Sequence, residues 1–178
     1  MTQVADLYPV FEERATAAGA FVHPIAADPS ALERCLHSLQ PMNSMIAETF
    51  PYTPSWVKTC ADAIDKQRLR ADIPSLAKGG TGITDVFAAV AETGSIALSN
   101  TTSNHGPLSL FTDRHIAILE LDRLVARPRD LFQRPEWAQE LQNMVFITGP
   151  SATADMGKLV RGVHGPGRLD IIVLGALT

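Results

Sequence analysis

The 178-residue chain is poor in cysteine, with only Cys35 and Cys60, which lie far apart. Both fall within helical patterns and read as free thiols, not as a disulfide. Two thiolates cannot complete an iron–sulfur cluster, which takes four ligands that often come from closely spaced CxxC runs. No redox cofactor of that kind is expected on this chain. No stretch approaches the ~20 apolar residues that span a bilayer, and no basic segment followed by an apolar one opens the sequence. A cytoplasmic protein without membrane contact is expected. Positive charge is not in excess: 15 Lys and Arg stand against 19 Asp and Glu, for a net charge of −4. General binding to nucleic acid is therefore disfavoured, because neutralising phosphates needs a basic face. No two of the five histidines have metal-ligand spacing, so no metal site is expected. Nucleotide fingerprints are missing as well. Gly80-Thr81-Gly82 is followed by Asp85 where a dinucleotide loop needs its third glycine, and Gly149 to Lys158 does not fit a P-loop.

What is present is enough apolar material for one substantial core, at 46% hydrophobic residues, and a single domain over 1–178 is expected. Leu7, Phe11, Ala15 and Ala18 recur at helical spacing, and Gly19 supplies a C-terminal stop. Ala20 to Ile25 reads as a strand, and Asp28-Pro29 reads as an N-cap with proline at the first position of a helix through Leu39. A short strand is expected around Met45 to Ala47, and a helix capped by Ser55 is expected to run to about Lys66. A further helix is predicted over Thr84 to Val90, a short one near Leu108 to Thr112 and a longer one over Pro135 to Gln142. Strands are predicted at Ser95 to Ser99, His115 to Leu119, Met144 to Thr148 and Leu169 to Leu174. The runs IAILEL, MVFIT and DIIVL have no polar alternate face, as a parallel sheet covered on both sides requires. The fold class read from this is α/β, a three-layer α/β/α sandwich with a mainly parallel sheet.

The most informative stretch is Ile147-Thr148-Gly149-Pro150-Ser151-Ala152-Thr153-Ala154-Asp155-Met156, followed by Gly162-Val163-His164-Gly165-Pro166. Met156, Leu159, Val160 and Val163 fit a helical pattern, so the chain is expected to pass from strand through tight loop to helix N-terminus. Such a junction offers backbone N–H groups and a positive dipole end to a carboxylate or phosphate. Thr148, Gly149, Ser151, Thr153 and Asp155 are accordingly candidate anion-binding residues, with a purely structural cap and turn as the competing reading. By the usual geometry of open α/β sheets, this loop and the Ser99 to Pro107 loop should lie beyond the carboxyl ends of the strands. His164 is a candidate acid, base or anion ligand, or else a turn-stabilising residue. Glu92, in Ala91-Glu92-Thr93-Gly94, is a candidate base or nucleophile, with backbone hydrogen bonding as its structural alternative. Gly94 would permit close approach of a ligand. The loop Lys78-Gly79-Gly80-Thr81-Gly82 could wrap a small ligand or serve as a linker.

Ala91-Glu92-Thr93-Gly94-Ser95, then ITGPSATADM from Ile147, then GVHGP from Gly162, then the closing apolar strand, resemble in order the motifs of the lactate utilization protein C family, whose unit is the LUD domain. The resemblance covers roughly Gly79 to Leu174, and the N-terminal part shares only the general layout. It implies the fold class of ribose-phosphate isomerases, glucosamine-phosphate deaminases and CoA transferases. It further implies a subunit supporting oxidation of L-lactate to pyruvate, with the iron–sulfur clusters on partner proteins and none on this chain. Under that reading a small carboxylate substrate is held near Ser151 to Thr153 and His164. A stand-alone isomerase or CoA-transferase-type enzyme using Glu92, or a purely structural subunit, are the alternatives.

Overall fold

Short apolar runs broken by Gly, Pro and Asp fold into two main sheets and a small two-stranded ribbon. The computed structural model describes residues 4–64, 80–101, 104–155 and 157–176. In chain order the elements are α1 (Val4–Ala17), β1 (Phe21–Ile25), α2 (Pro29–Leu39), β2 (Ser44–Ile46), α3 (Ser55–Ala63), β3 (Thr81–Asp85), β4 (Ala88–Val90), β5 (Ser95–Ser99), α4 (His105–Phe111), β6 (Arg114–Glu120), β7 (Leu124–Val125), α5 (Pro128–Leu131), β8 (Met144–Ile147), β9 (Ala152–Thr153), β10 (Val160–Arg161) and β11 (Arg168–Leu174).

The central sheet has the order β1-β11-β6-β3-β2 and is parallel throughout. Alternation along its strands divides the core. Ile83, Ile116, Ile118 and Ile172 pack with Leu32 and Leu36 of α2 and Val57 and Ala61 of α3. Ala117, Leu119, Ile171 and Val173 pack on the opposite face with Phe11 and Ala15 of α1 and with Ile96 and Leu98 of β5. A mainly parallel sheet with helices on both faces is thus the observed architecture, and the second face is shared with a four-stranded sheet of order β7-β4-β5-β8. The chain moves from one sheet to the other directly. After Asp85 pairs in the parallel sheet, Val86 N donates to Ile118 O and Phe87 N to Ala97 O, which carries the strand into β4.

Local expectations hold where a local signal decides the outcome. Asp28 caps α2 by accepting from Ala31 N at 2.9 Å, with Pro29 at the first position. Gly19 follows α1 with φ +94°, and β1, β2, β5 and the two central apolar strands occur as expected. α3 begins at Ser55, but its N-cap is Pro54 with no side-chain bond, and the expected end near Lys66 lies outside the described residues, as do Lys78, Gly79 and Met156.

Three expectations are corrected. Thr84 to Val90 holds the end of β3 and all of β4, joined through Val86 and Phe87, and no helix: the segment is buried throughout, and a fully buried apolar run carries no periodicity to separate strand from helix. Pro135 to Gln142 forms two short 3-10 turns, Pro135–Trp137 and Glu140–Asn143. The predicted helix beyond Ile147 is absent. In its place β9 and β10 form an antiparallel ribbon, with Gly157 and Gly162 at φ +74° and +78°. Leu159, Val160 and Val163 are all exposed, so the helical spacing had no core face to pack against. The MVFIT run likewise ends at an edge, antiparallel to β5, with Val145 42% and Phe146 43% exposed, and is not part of the covered parallel sheet.

Candidate functional site

β8 leads into the loop Thr148 to Ser151, which crosses the amino ends of β6 and β11. Among the described residues no helix follows Ile147, so the expected helix N-terminus does not face Thr148, Gly149, Ser151, Thr153 or Asp155. Asp155 is exposed in the turn after β9, where its N–H donates to Thr153 Oγ1 at 3.4 Å. The loop nevertheless forms a wall. A cavity of about 360 Å³ lies between it and α4, walled by residues 146–152, by Ser109 and Leu110 of α4, by His164, Gly165 and Pro166, and by His115 and Leu169 at the strand starts. Thr148, Gly149, Ser151 and His164 thus meet at one cavity, on the amino side of β6 and β11 and not beyond the carboxyl ends of the strands as expected. Ser151 N donates to Pro166 O at 2.8 Å and Gly162 N donates to Ser151 O at 3.0 Å, which ties the ITGPS loop to the GVHGP loop. A Cβ on Gly165 would stand 3.2 Å from Ser151 Cβ, so the two loops pack closely at this junction.

The AETG turn joins β4 to β5 and lies elsewhere. Glu92 is 57% exposed, 4.0 Å from Arg127 Nε, and does not line the cavity. Its N–H donates to Ala126 O. Gly94, at φ +66°, lies under α1, where a Cβ would collide with the backbone of Arg14 and Ala15. Gly149, at φ +72°, meets Ala18 O in the same way. Both glycines therefore seat α1, and neither conformation requires a ligand. A chain of hydroxyls connects the two motifs: Thr93 Oγ1 to Ser95 Oγ at 2.7 Å, and Ser95 Oγ to Thr148 Oγ1 at 2.6 Å.

The structure also reveals polar groups that motif reading passed over. His115, within the apolar run of β6, is 1% exposed and shares a hydrogen bond with Thr84 Oγ1 at 3.0 Å through Nε2, while its Nδ1 has no partner. Burial, reinforced by the nearby His105, pushes its pKa down to about 3, so the ring is neutral. At the carboxyl end of β3, Asp85 Oδ1 meets His105 Nε2 at 2.6 Å and Asp85 Oδ2 accepts from Tyr52 N at 2.7 Å. Asn104 Oδ1 accepts from Glu48 N, so the Ser99 to Pro107 loop does reach the carboxyl ends of β2 and β3. Asp170, at the start of β11, is fully buried among His23, Arg114 and Arg168. Burial alone would raise its pKa, but hydrogen bonds from these three groups prevail and hold it well below the usual carboxylate range. The available signal for Asp85, His115 and Asp170 was a titratable residue within an apolar strand run, a pattern in which the buried group must find a partner, whereas His105 opens α4 and carried no such signal.

Cys35 is half-buried and Cys60 buried, both as free thiols. Among the described residues no three of His, Cys, Asp and Glu come together as a metal site would require, and no helix is long and apolar enough to cross a membrane.

An α/β protein with a cavity between the ITGPS and GVHGP loops is the class these observations define. The LUD domain model matches residues 62–174. Lactate utilization protein C of Deinococcus radiodurans is 36% identical over 97 residues, 52% of this chain and 45% of that protein. The protein of the same name from an Exiguobacterium species is 31% identical over 134 residues, 72% of this chain and 54% of that protein. A DUF162 family crystal structure from Deinococcus radiodurans aligns with TM-score 0.69 over 98% of this chain and 100% of that one, at 23% identity, which speaks to the fold. The chain belongs to the LUD domain family, and it spans about half the length of the curated relatives it matches.

Proposed function

We propose that this chain acts in lactate utilization, as a cytoplasmic subunit supporting oxidation of L-lactate to pyruvate, with the iron–sulfur clusters on partner proteins. The observation that carries this reading is the meeting of two family motifs, ITGPS and GVHGP, at the walls of one cavity. A small carboxylate sits in it beside His164 and the Ser151 hydroxyl, where an imidazole N–H and a hydroxyl donate to its oxygens. The names of the relatives support the pathway, and a chain with two cysteines supports clusters held elsewhere. The alternative, a stand-alone isomerase or CoA-transferase-type enzyme using Glu92, has less support, because Glu92 is exposed beside Arg127 and outside the cavity.

The test is lactate-dependent dye reduction in extracts of the source cell lacking this gene. Restoration by the intact chain and by Glu92→Gln is expected, with His164→Ala and Ser151→Val reduced about tenfold or more, the loss of one charge-assisted hydrogen bond. Unchanged lactate oxidation without the gene would overturn the proposal. Failure of Glu92→Gln alone would favour the stand-alone enzyme.

A further inference from the structure

Among the described residues β8 pairs with β5 alone, which leaves its other side as an open edge of the four-stranded sheet. The ladder fixes which of its groups face outward. Phe87 N donates to Ala97 O, so the backbone groups of Ala97 turn towards β4, and those of Ile96 and Leu98 turn towards β8, opposite Ile147 and Val145. Asn100 N donates to Asn143 O in the same alternation. The N–H and C=O groups of Met144 and Phe146 therefore point away from the sheet. Other edges are guarded: β7, at the far side of the same sheet, has only two residues, and β1 carries Pro24. Met144–Ile147 holds neither charge nor proline, and Val145 and Phe146 leave 42% and 43% of their surface open.

Such an edge is complementary to a copy of itself. A two-fold axis at Val145 sets Met144 opposite Phe146 of the second copy, so that each such pair exchanges both of its N–H···O=C bonds, with the two Val145 side chains side by side. Charge fits the same axis. Residues 135–147 are charged only at Glu136 and Glu140, ahead of the strand core, whereas 148–167 carry Lys158 and Arg161 against Asp155. Antiparallel pairing runs the acidic stretch of one copy beside the basic stretch of the other. Counted along the register from Val145, Glu140 falls level with Pro150 of the second copy. Arg161 lies beside Pro150, since its Nη2 and the Pro150 ring both stand 3.4 Å from the Cβ position of Gly19. Each copy thus offers a carboxylate where the other offers a guanidinium, as an isologous contact requires. The apolar surface also continues past the strand: Leu110 shares the cavity wall with Phe146, and Phe111 and Val163 line the adjoining hollow. About half of each of these five side chains is open, on the order of 400 Å² in all, close to the apolar share of what one partner gives a standard interface.

We infer that β8 is the contact through which two copies of this chain associate, its open edge pairing antiparallel with the same edge of the second copy about a two-fold axis at Val145, and Glu140 meeting Arg161 across it.

Sedimentation of the full chain over a concentration series tests this, with a species of twice 19.2 kDa expected. Val145→Lys sets two like charges side by side on the axis and should shift the chain to monomer. Glu140→Lys and Arg161→Glu should each weaken association about tenfold, and the two together should restore it. This charge exchange decides the matter even if Val145→Lys does not fold. Hydrogen exchange should show the Met144 and Phe146 amides protected in the dimer and released on dilution. A chain that stays monomeric at every concentration leaves the edge to a different protein and overturns the inference. So does a dimer that the folded Val145→Lys variant still forms, a double exchange that restores nothing, or a dimer in which those two amides exchange freely.

Discussion

His105 Nε2 stands 2.6 Å from Asp85 Oδ1, and the two side chains are 1% and 0% exposed at the point where β3 leaves one sheet for the other. The second oxygen of the same carboxylate holds Tyr52 N. One residue therefore fixes the start of α4, the loop after β2 and the crossing of the strand. Removing it strips the buried His105 imidazole of its carboxylate and takes an acceptor from Tyr52 N.

Asp85→Ala is accordingly expected to destabilise by about 3–5 kcal/mol, the usual cost of breaking a buried pair from one side. Asp85→Asn, which keeps an acceptor of the same shape, should cost about 1–3 kcal/mol. Urea denaturation of the two variants checks the order. Equal losses would mean that the shape of the site matters and the charge does not.

Asp170 sets the response to acid. Its folded pKa lies below the unfolded value, so the unfolded chain binds the extra proton first as pH falls, and the stabilisation is present above about 4 and lost as pH drops towards the folded pKa. Asp170→Asn should lower stability near neutral pH, and the gap from the unsubstituted protein should narrow as acid is added. Thermal unfolding at a series of pH values reads this directly, and a gap that widens in acid would contradict it.

Gly94 and Gly149 seat the same helix. Each has positive φ, and each would drive a Cβ into the backbone around α1. Alanine at either position should cost about 1–3 kcal/mol from backbone strain alone, with the collision added to it. Hydrogen exchange should show the loss concentrated in α1 and β5. Protection of α1 equal to that of the unsubstituted protein would overturn this account.

Glu92 is expected to be thermodynamically quiet. Its pairing with Arg127 is long and solvent-exposed, so Glu92→Gln should change stability by no more than about 0.5 kcal/mol. A larger loss would show that the AETG turn depends on the charge.

Much of the fold was legible because the deciding signals are local. Asp28-Pro29 caps α2, Gly19 stops α1, and the β-branched content of IAILE and DIIVL favours the covered strands they form. Thr84 to Val90 was not legible, since an apolar run buried all round carries no period. The segment after Ile147 misled for the opposite reason. Its apolar spacing fitted a helix, but Leu159, Val160 and Val163 have no core to face. The site was legible only as a set of motifs. ITGPS and GVHGP do meet at one cavity, whereas Glu92 and Gly94 lie apart from it, and His115 passed as one more residue of an apolar strand.

The sequence by itself determined the α/β class, the covered strands, the helix caps and the family motifs, because each depends on residues within a few positions of one another. Only the tertiary structure decided that β8 lies at an edge, that the ITGPS loop sits at the amino ends of β6 and β11, and that His115 is neutral with one nitrogen unpartnered. These depend on which distant segments supply burial and hydrogen bonds, and a side chain's surroundings in three dimensions are not encoded in the spacing around it.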